Sequence, residues 1–160
     1  MAKEIERKFL VDFELLKSLG LLDKGSTIKQ AYIPTVGLTA VRLRVKGSVA
    51  FLTIKGANKG VTRSEFEYQI PVKDAEAMIN DLCSGPLIEK VRYEIRSTQN
   101  PKHIWEVDVF EGDNQGLVVA ELEIADEKEN FERPSWLGEE VSGDAKYYNS
   151  NLLDNPFKDW

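Results

Sequence analysis

At 160 residues with 42% hydrophobic side chains, the chain can bury one core and is too apolar to stay disordered. No apolar run approaches the ~18 residues of a membrane helix, no signal peptide is expected before Glu4, and a net charge of −6 excludes a general nucleic-acid binder. The lone Cys83 rules out an internal disulfide and fits a reducing, cytoplasmic setting; with His103 the only imidazole, a bound metal must be a hard ion on oxygen ligands.

A first strand is expected over Lys3–Val11. Strand period puts Glu4, Glu6 and Lys8 on one face and Ile5, Phe9 and Val11 on the other, with Arg7 the exception. Two carboxylates at this spacing lie about 6.5 Å apart, so they can share a hard cation or flank two. A lysine beside such a pair suits a metal-bound polyphosphate. Asp12 then reads as the N-cap of a short helix, Phe13–Leu19, closed by Gly20. Strands are expected over Thr27–Ile33 and over Thr39–Lys46, the latter with Arg42 and Arg44 opposite Val41, Leu43 and Val45. After a tight turn at Gly47-Ser48, Val49–Lys55 follows, then a loose loop, Gly56–Gly60. Arg63–Ile70 sets Glu65 and Glu67 against Phe66, Tyr68 and Ile70. Asp74 is expected to cap a helix through Cys83, with Ala75, Met78, Ile79 and Leu82 at helical spacing.

The second half repeats the plan. Leu87–Ser97 places Lys90 and Arg92 opposite Val91, Tyr93 and Ile95. His103–Phe110 places Glu106 and Asp108 opposite Trp105, Val107 and Val109, and Gly116–Ile124 places Glu121 and Glu123 opposite Leu122 and Ile124. Asp126 with Glu129 reads as a capping box for a short helix near Phe131, and a last helix is expected over Asp144–Leu153. With no linker and no low-complexity stretch, residues 1–160 read as a single domain. Eight hairpin-connected strands with a few helices predict an α+β fold around an antiparallel sheet that closes.

Six strand pairs share one feature: Glu4/Glu6, Arg42/Arg44, Glu65/Glu67, Lys90/Arg92, Glu106/Asp108 and Glu121/Glu123 are each like-charged at i, i+2. Adjacent like charges repel, and stability alone gives little reason to repeat the arrangement. A ligand of matching charge removes the objection: metal for the acid pairs, phosphate oxygens for the basic pairs, with Lys8 and Lys55 joining the latter. For any one pair a solvated face explains as much; the six together favour a functional lining. Periodicity leaves open whether the charged face lies inside or outside a barrel. A charged interior puts Phe66, Tyr68, Trp105 and Val107 outside, where helices or a second copy of the chain, as a homodimer, must cover them. Cys83 reads as core and His103 as a surface residue. The loop at Lys55–Gly60 lacks P-loop spacing, and the acids around Lys90-Val91-Arg92 do not suit nucleic acid.

Glu4-Ile5-Glu6-Arg7-Lys8 resembles the ExExK signature of the CYTH superfamily, the triphosphate tunnel metalloenzymes. The blocks Arg42-Leu43-Arg44, Thr53-Ile54-Lys55, Glu65-Phe66-Glu67, Lys90-Val91-Arg92-Tyr93, Glu106-Val107-Asp108-Val109-Phe110 and Glu121-Leu122-Glu123 resemble its later blocks in order. Gly138-Glu139-Glu140-Val141 and Asp144-Ala145-Lys146-Tyr147 resemble its C-terminal section. The resemblance implies an eight-stranded antiparallel closed barrel, a triphosphate tunnel charged inside with helices outside. It is nearest to the inorganic triphosphatase branch, which hydrolyses tripolyphosphate to pyrophosphate and phosphate.

Carried over residue by residue, the resemblance implies two ions, Mg²⁺ or Mn²⁺. Glu4 and Glu6 are expected on a water-activating metal, and Asp108, Glu121 and Glu123 on a substrate-orienting one. Lys8, Arg42, Arg44, Lys55, Lys90 and Arg92 are expected to hold the phosphates. Lys90 with Glu67 is an expected acid–base dyad, a plain cross-strand salt bridge being the other reading. Glu65 and Glu106 are expected to line the tunnel, and Lys146 and Tyr147 to close one mouth. Other readings are a thiamine or nucleoside triphosphatase, a class IV adenylyl cyclase, and a non-catalytic polyphosphate-binding module. The cyclase needs an adenine and ribose pocket that no inward aromatic or amide set announces. The binding module needs the bases but not the acid pairs.

Overall fold

In chain order the strands are β1 (Ile5–Val11), β2 (Ser26–Ile33), β3 (Ala40–Lys46), β4 (Val49–Lys55), β5 (Glu65–Ile70), β6 (Ile88–Arg96), β7 (Ile104–Phe110), β8 (Val118–Ile124) and β9 (Leu137–Glu140). The helices are α1 (Phe13–Ser18), α2 (Val72–Leu82) and α3 (Asn149–Asp154). This is a computed structural model, and it describes residues 5–57, 64–83 and 85–160. Glu4, and Arg63 at the expected start of the fifth strand, lie outside the described residues. The chain groups into two compact units, Met1–Ser26 with Lys90–Trp160, and Thr27–Glu89. Among the described residues no helix is long and apolar enough to cross a membrane.

In the unit Thr27–Glu89 the strands form an antiparallel meander in the order β5-β4-β3-β2. Ala31, Leu43, Leu52 and Tyr68 stand opposite one another across the four strands. On this face α2 lays Ile79 against Ala31 and Leu43, with Met78, Val45 and Ile70 at the margin. Each fully buried aliphatic side chain contributes about 1.5–3 kcal/mol. The helix begins after Pro71 rather than at Asp74, which stands in the first turn, where its carboxylate suits the positive end of the dipole. Cys83 follows the helix in extended backbone and packs at the edge of this core. Phe66 and Tyr68 share the apolar side but are both 55% exposed.

The other unit holds five antiparallel strands in the order β6-β7-β8-β1-β9. Its core is aromatic: Trp105 meets Trp136 edge-on at 5.6 Å between centroids, Phe9 at 5.7 Å and Phe131 at 5.9 Å. Helix α1 seals one side with Leu16, and Asp12 caps it by accepting from Leu15 N at 3.1 Å. Trp105 and Val107, expected on the outside, are therefore fully covered, while Phe66 and Tyr68 are not.

Four expectations need correction. The α+β antiparallel class holds, with the pairings within each unit as given above, but β9 makes nine strands among the described residues in place of the expected eight. No helix forms at Asp126: Glu129 N bonds back to Asp126 O at 2.9 Å in a turn, and Glu129 Oε2 accepts from Ala125 N and meets His103 Nε2 at 3.2 Å. His103 is accordingly buried, not a surface residue. The single last helix is divided into a 3-10 turn, Ala145–Tyr147, capped by Asp144, and α3.

Candidate active site

Strand alternation sends Glu6 and Lys8 of β1, Arg92 of β6, Glu106 and Asp108 of β7, and Glu121 and Glu123 of β8 to the face opposite Phe9, Trp105 and Leu122. Register then sets Glu6 against Glu123, Lys8 against Glu121, Glu121 against Glu106, and Asp108 against Arg92. Like charges directly opposite, as at Glu106 and Glu121, destabilise a sheet unless something between them compensates.

Part of the compensation comes from the protein itself. Lys90 Nζ donates to Asp108 Oδ2 at 2.8 Å, with both side chains wholly buried. Arg92 grips the same carboxylate through Nε at 2.7 Å and Nη2 at 2.9 Å, and donates from Nη1 to Glu106 Oε2 at 2.6 Å. Burial works against the Arg92 cation, yet Asp108, Glu106 and Glu121 push its pKa above the ordinary value. Burial would likewise neutralise Asp108, but Lys90 and Arg92 hold it ionised, below the usual carboxylate range. The Lys90 ammonium is pulled down, first by burial and then by the neighbouring Arg92 charge, with Asp108 opposing. Taking such a triad out of water costs several kcal/mol per ion, on the order of what its attraction returns. A stability role is therefore a weak explanation for it, and a functional one stronger.

Glu6 is the uncompensated member. Its carboxyl is pushed up to about 7 by burial, by the charge of Glu121 and by a hydrogen bond with it, Lys8 pulling the other way. Two carboxyl groups held together in this manner are relieved by a hard cation, so the all-oxygen donor set fits one. Glu123, opposite Glu6, is exposed and open to the same ion. Among the described residues no three His, Cys, Asp or Glu side chains close on one metal position, and Glu4 is outside them. Both Asp108 oxygens are engaged by Lys90 and Arg92.

Lys8 Nζ lies 3.3 Å from Glu121 Oε1 and donates to the main-chain oxygen of Tyr147 at 3.2 Å. The Tyr148 ring sits 5.7 Å from the same ammonium, a neighbour that no motif announces. Tyr147 itself is buried, its ring edge-on to Trp160 at 5.2 Å, and Lys146 Nζ lies over Trp160 at 4.2 Å.

The unit Thr27–Glu89 carries its own polar face. Tyr32, Arg42, Thr53 and Glu67 form one row across four strands. Arg44 Nε donates to Gln30 Oε1 at 3.1 Å, and Arg42 Nη2 reaches Thr53 Oγ1 at 3.5 Å and Glu67 Oε2 at 3.7 Å. Thr53 Oγ1 in turn donates to Glu67 at 2.9 Å. Glu67 is thus engaged by Thr53 and Arg42, as Lys90 is by Asp108. Lys55, at the end of β4, and Glu65, at the start of β5, stand opposite each other. Gln30 and Thr53, both buried, escaped the charge pattern because they are neutral; their alternation with apolar neighbours was the available signal.

The CYTH domain model matches residues 2–149. An inorganic triphosphatase of Acetivibrio thermocellus is 46% identical over 160 residues, covering 100% of this chain and 99% of that protein. One of Nitrosomonas europaea is 35% identical over 156 residues, covering 93% and 95%. The crystal structure of an inorganic triphosphatase superposes with a TM-score of 0.71 at 32% identity, over 96% of this chain and 95% of that one. Matched along nearly its whole length by the family model and by these relatives, the chain belongs to the CYTH domain family.

Proposed function

We propose that the chain is a metal-dependent hydrolase that splits inorganic triphosphate into pyrophosphate and phosphate. The observation that carries the reading is the run of carboxyl groups on one sheet face, Glu6 opposite Glu123 and Glu121 opposite Glu106, with Lys8 3.3 Å from Glu121 and Arg92 2.6 Å from Glu106. The names of its full-length relatives support it. Glu6, Glu121 and Glu123, with Glu4, would hold the divalent metal, two ions of Mg²⁺ or Mn²⁺. When bound, such ions neutralise phosphate charge and lower the pKa of an attacking water.

The chain's own part is positioning and electrostatics. Lys8, Lys90 and Arg92, with Arg42, Arg44 and Lys55, would bind phosphate oxygens and reduce the repulsion that meets a nucleophile. Asp108 orients Lys90 and Arg92 toward that task. Lys90, made a weaker base by burial, and Glu67 are the groups assigned to proton handling. Residues 1–160 act as one catalytic domain, a reading supported by a family model that spans both units. The closed tunnel, a cytoplasmic setting and a homodimer that covers Phe66 and Tyr68 complete the proposal.

Tripolyphosphate, ATP and thiamine triphosphate, each with Mg²⁺ or Mn²⁺, are the substrates to compare. Phosphate released fastest from tripolyphosphate is the expected result. Cyclic AMP with pyrophosphate from ATP, or metal-independent turnover, overturns it.

A further inference from the structure

Arg7 is where the alternation of β1 breaks: between Glu6 and Lys8 a charged side chain goes to the apolar side. Its guanidinium lies 5.2 Å from the Phe131 ring centre and 5.9 Å from that of Phe9. It donates to both oxygens of Glu140, from Nε to Oε2 and from Nη2 to Oε1, the latter at 2.6 Å. Glu140 Oε2 also accepts from Ser142 Oγ at 2.8 Å, and Ser142 Oγ accepts from the main-chain N of Lys8 at 2.8 Å. The bonds therefore run from the side chain of Arg7 through two residues and back to the backbone one residue further on. Val141 N closes the other side by donating to Lys8 O at 2.8 Å. Beyond the last residue of β9, a hydroxyl and one amide thus continue the pairing with β1 at Lys8.

The same stretch of chain reaches the far end of that lysine, where the Tyr147 carbonyl accepts from Nζ at 3.2 Å. Residues 140–147 hold Lys8 by its backbone and by its ammonium. A phosphate-binding cation is effective only when its position is set to a fraction of an ångström, and partners behind a contacting group commonly carry about 10- to 100-fold in affinity or activity.

We propose that Ser142 is a positioning residue: with Glu140 and Arg7 it fixes the main chain at Lys8 and so aims the Lys8 ammonium at substrate phosphate. The proposal rests on the triphosphatase reading for its substrate, but its geometry can be tested apart from it. Ser142→Ala is expected to raise KM for tripolyphosphate about tenfold with kcat little changed. Ser142→Thr, which keeps the hydroxyl, is expected to restore the wild-type value. In a Lys8→Ala background the Ser142→Ala change is expected to add nothing, because the serine acts through the lysine. If Lys8→Ala turns over too slowly for a KM, the cycle is read as tripolyphosphate affinity by calorimetry with metal omitted. An equal loss in both backgrounds, or no loss in either, overturns the proposal.

A wild-type protein that releases no phosphate from tripolyphosphate overturns the functional reading instead. The positioning is then decided by hydrogen exchange at the Lys8 amide. Slow exchange in wild type and Ser142→Thr with fast exchange in Ser142→Ala supports it, and equal rates in all three overturn it.

Discussion

In the unit built from the N-terminal strand and residues 90–160, cations are locked to carboxylates: Lys90 and Arg92 both close on Asp108, and Lys8 on Glu121. In the unit Thr27–Glu89, Arg44 donates to the Gln30 amide and Arg42 to the Thr53 hydroxyl, with Arg42 also 3.7 Å from the Glu67 carboxylate. Both arrangements orient guanidinium groups, but the first buries its Lys90–Asp108 pair wholly, while the second pairs Arg42 with a carboxylate that is 47% exposed. The first is a preorganised, nearly neutral network that costs desolvation and depends on every member. The second lies closer to water, so losing one of its members costs less. Damage to the buried Lys90–Arg92–Asp108 network should therefore show most in stability and turnover, and damage at Arg42 or Arg44, as at Lys8, in KM.

The largest effect is expected at Glu6. Glu6→Gln removes a proposed metal ligand and should lower kcat about 100-fold or more. It also removes the repulsion with Glu121, so the unfolding temperature should stay level or rise. Full activity in this variant ends the metal role of Glu6, and a collapse in thermal stability would show that Glu6 serves the fold instead. Next in size is a direct contrast between units. Asp108→Ala leaves Lys90 and Arg92 buried without their carboxylate and should cost about 3–5 kcal/mol of stability in denaturant unfolding. Arg44→Ala takes a donor from the buried Gln30 amide, should cost less, about 1–2 kcal/mol, and should raise KM about tenfold. If the two variants behave alike, the distinction between the faces fails.

Much of this was legible from local chemistry. The Val49–Lys55 strand begins and ends where its flanking turn and loop place it, and Asp12 caps α1 as its side chain and position require. Period-2 alternation puts each like-charged pair on one face of its strand, which the register bears out for the pairs that lie wholly within the described residues. The unread parts depend on partners far along the chain. Leu137–Glu140 has no alternating pattern and a glycine at 138; it is a strand because β1 offers it an edge, and a side chain at 138 would meet Leu10 O at 3.0 Å. His103 sits among polar residues in sequence and is buried by Glu129 and Asn100 folding over it. Asp126 and Glu129 match the capping-box spacing, but the glutamate is drawn to His103, so the box never closes. Arg7 breaks the alternation because its partners, Glu140 and Phe131, lie more than 120 residues further along the chain.

The smallest expected effect belongs to the Arg7–Glu140 pair, and its pH window tests whether the clamp contributes in solution. Hydrogen bonds from Arg7 hold the Glu140 carboxyl at about 2, below its ordinary value of 4.5, against the opposing effect of burial, with Ser142 and the charges of Arg7 and Arg133 assisting. A depressed folded-state pKa means that the pair's contribution is fully present above about pH 4.5 and is lost as the pH falls through about 2. Wild type should therefore lose stability across that window, while Glu140→Gln should lose less, the two converging at the acid end. Both side chains are partly exposed, at 25% and 31%, so salt should shrink the difference. A gap that stays constant from neutral pH to pH 2 would mean that Glu140 acts through packing rather than charge. Arg7→Met would then be the milder substitution, because its aliphatic stem keeps the contact with Phe131 and Phe9.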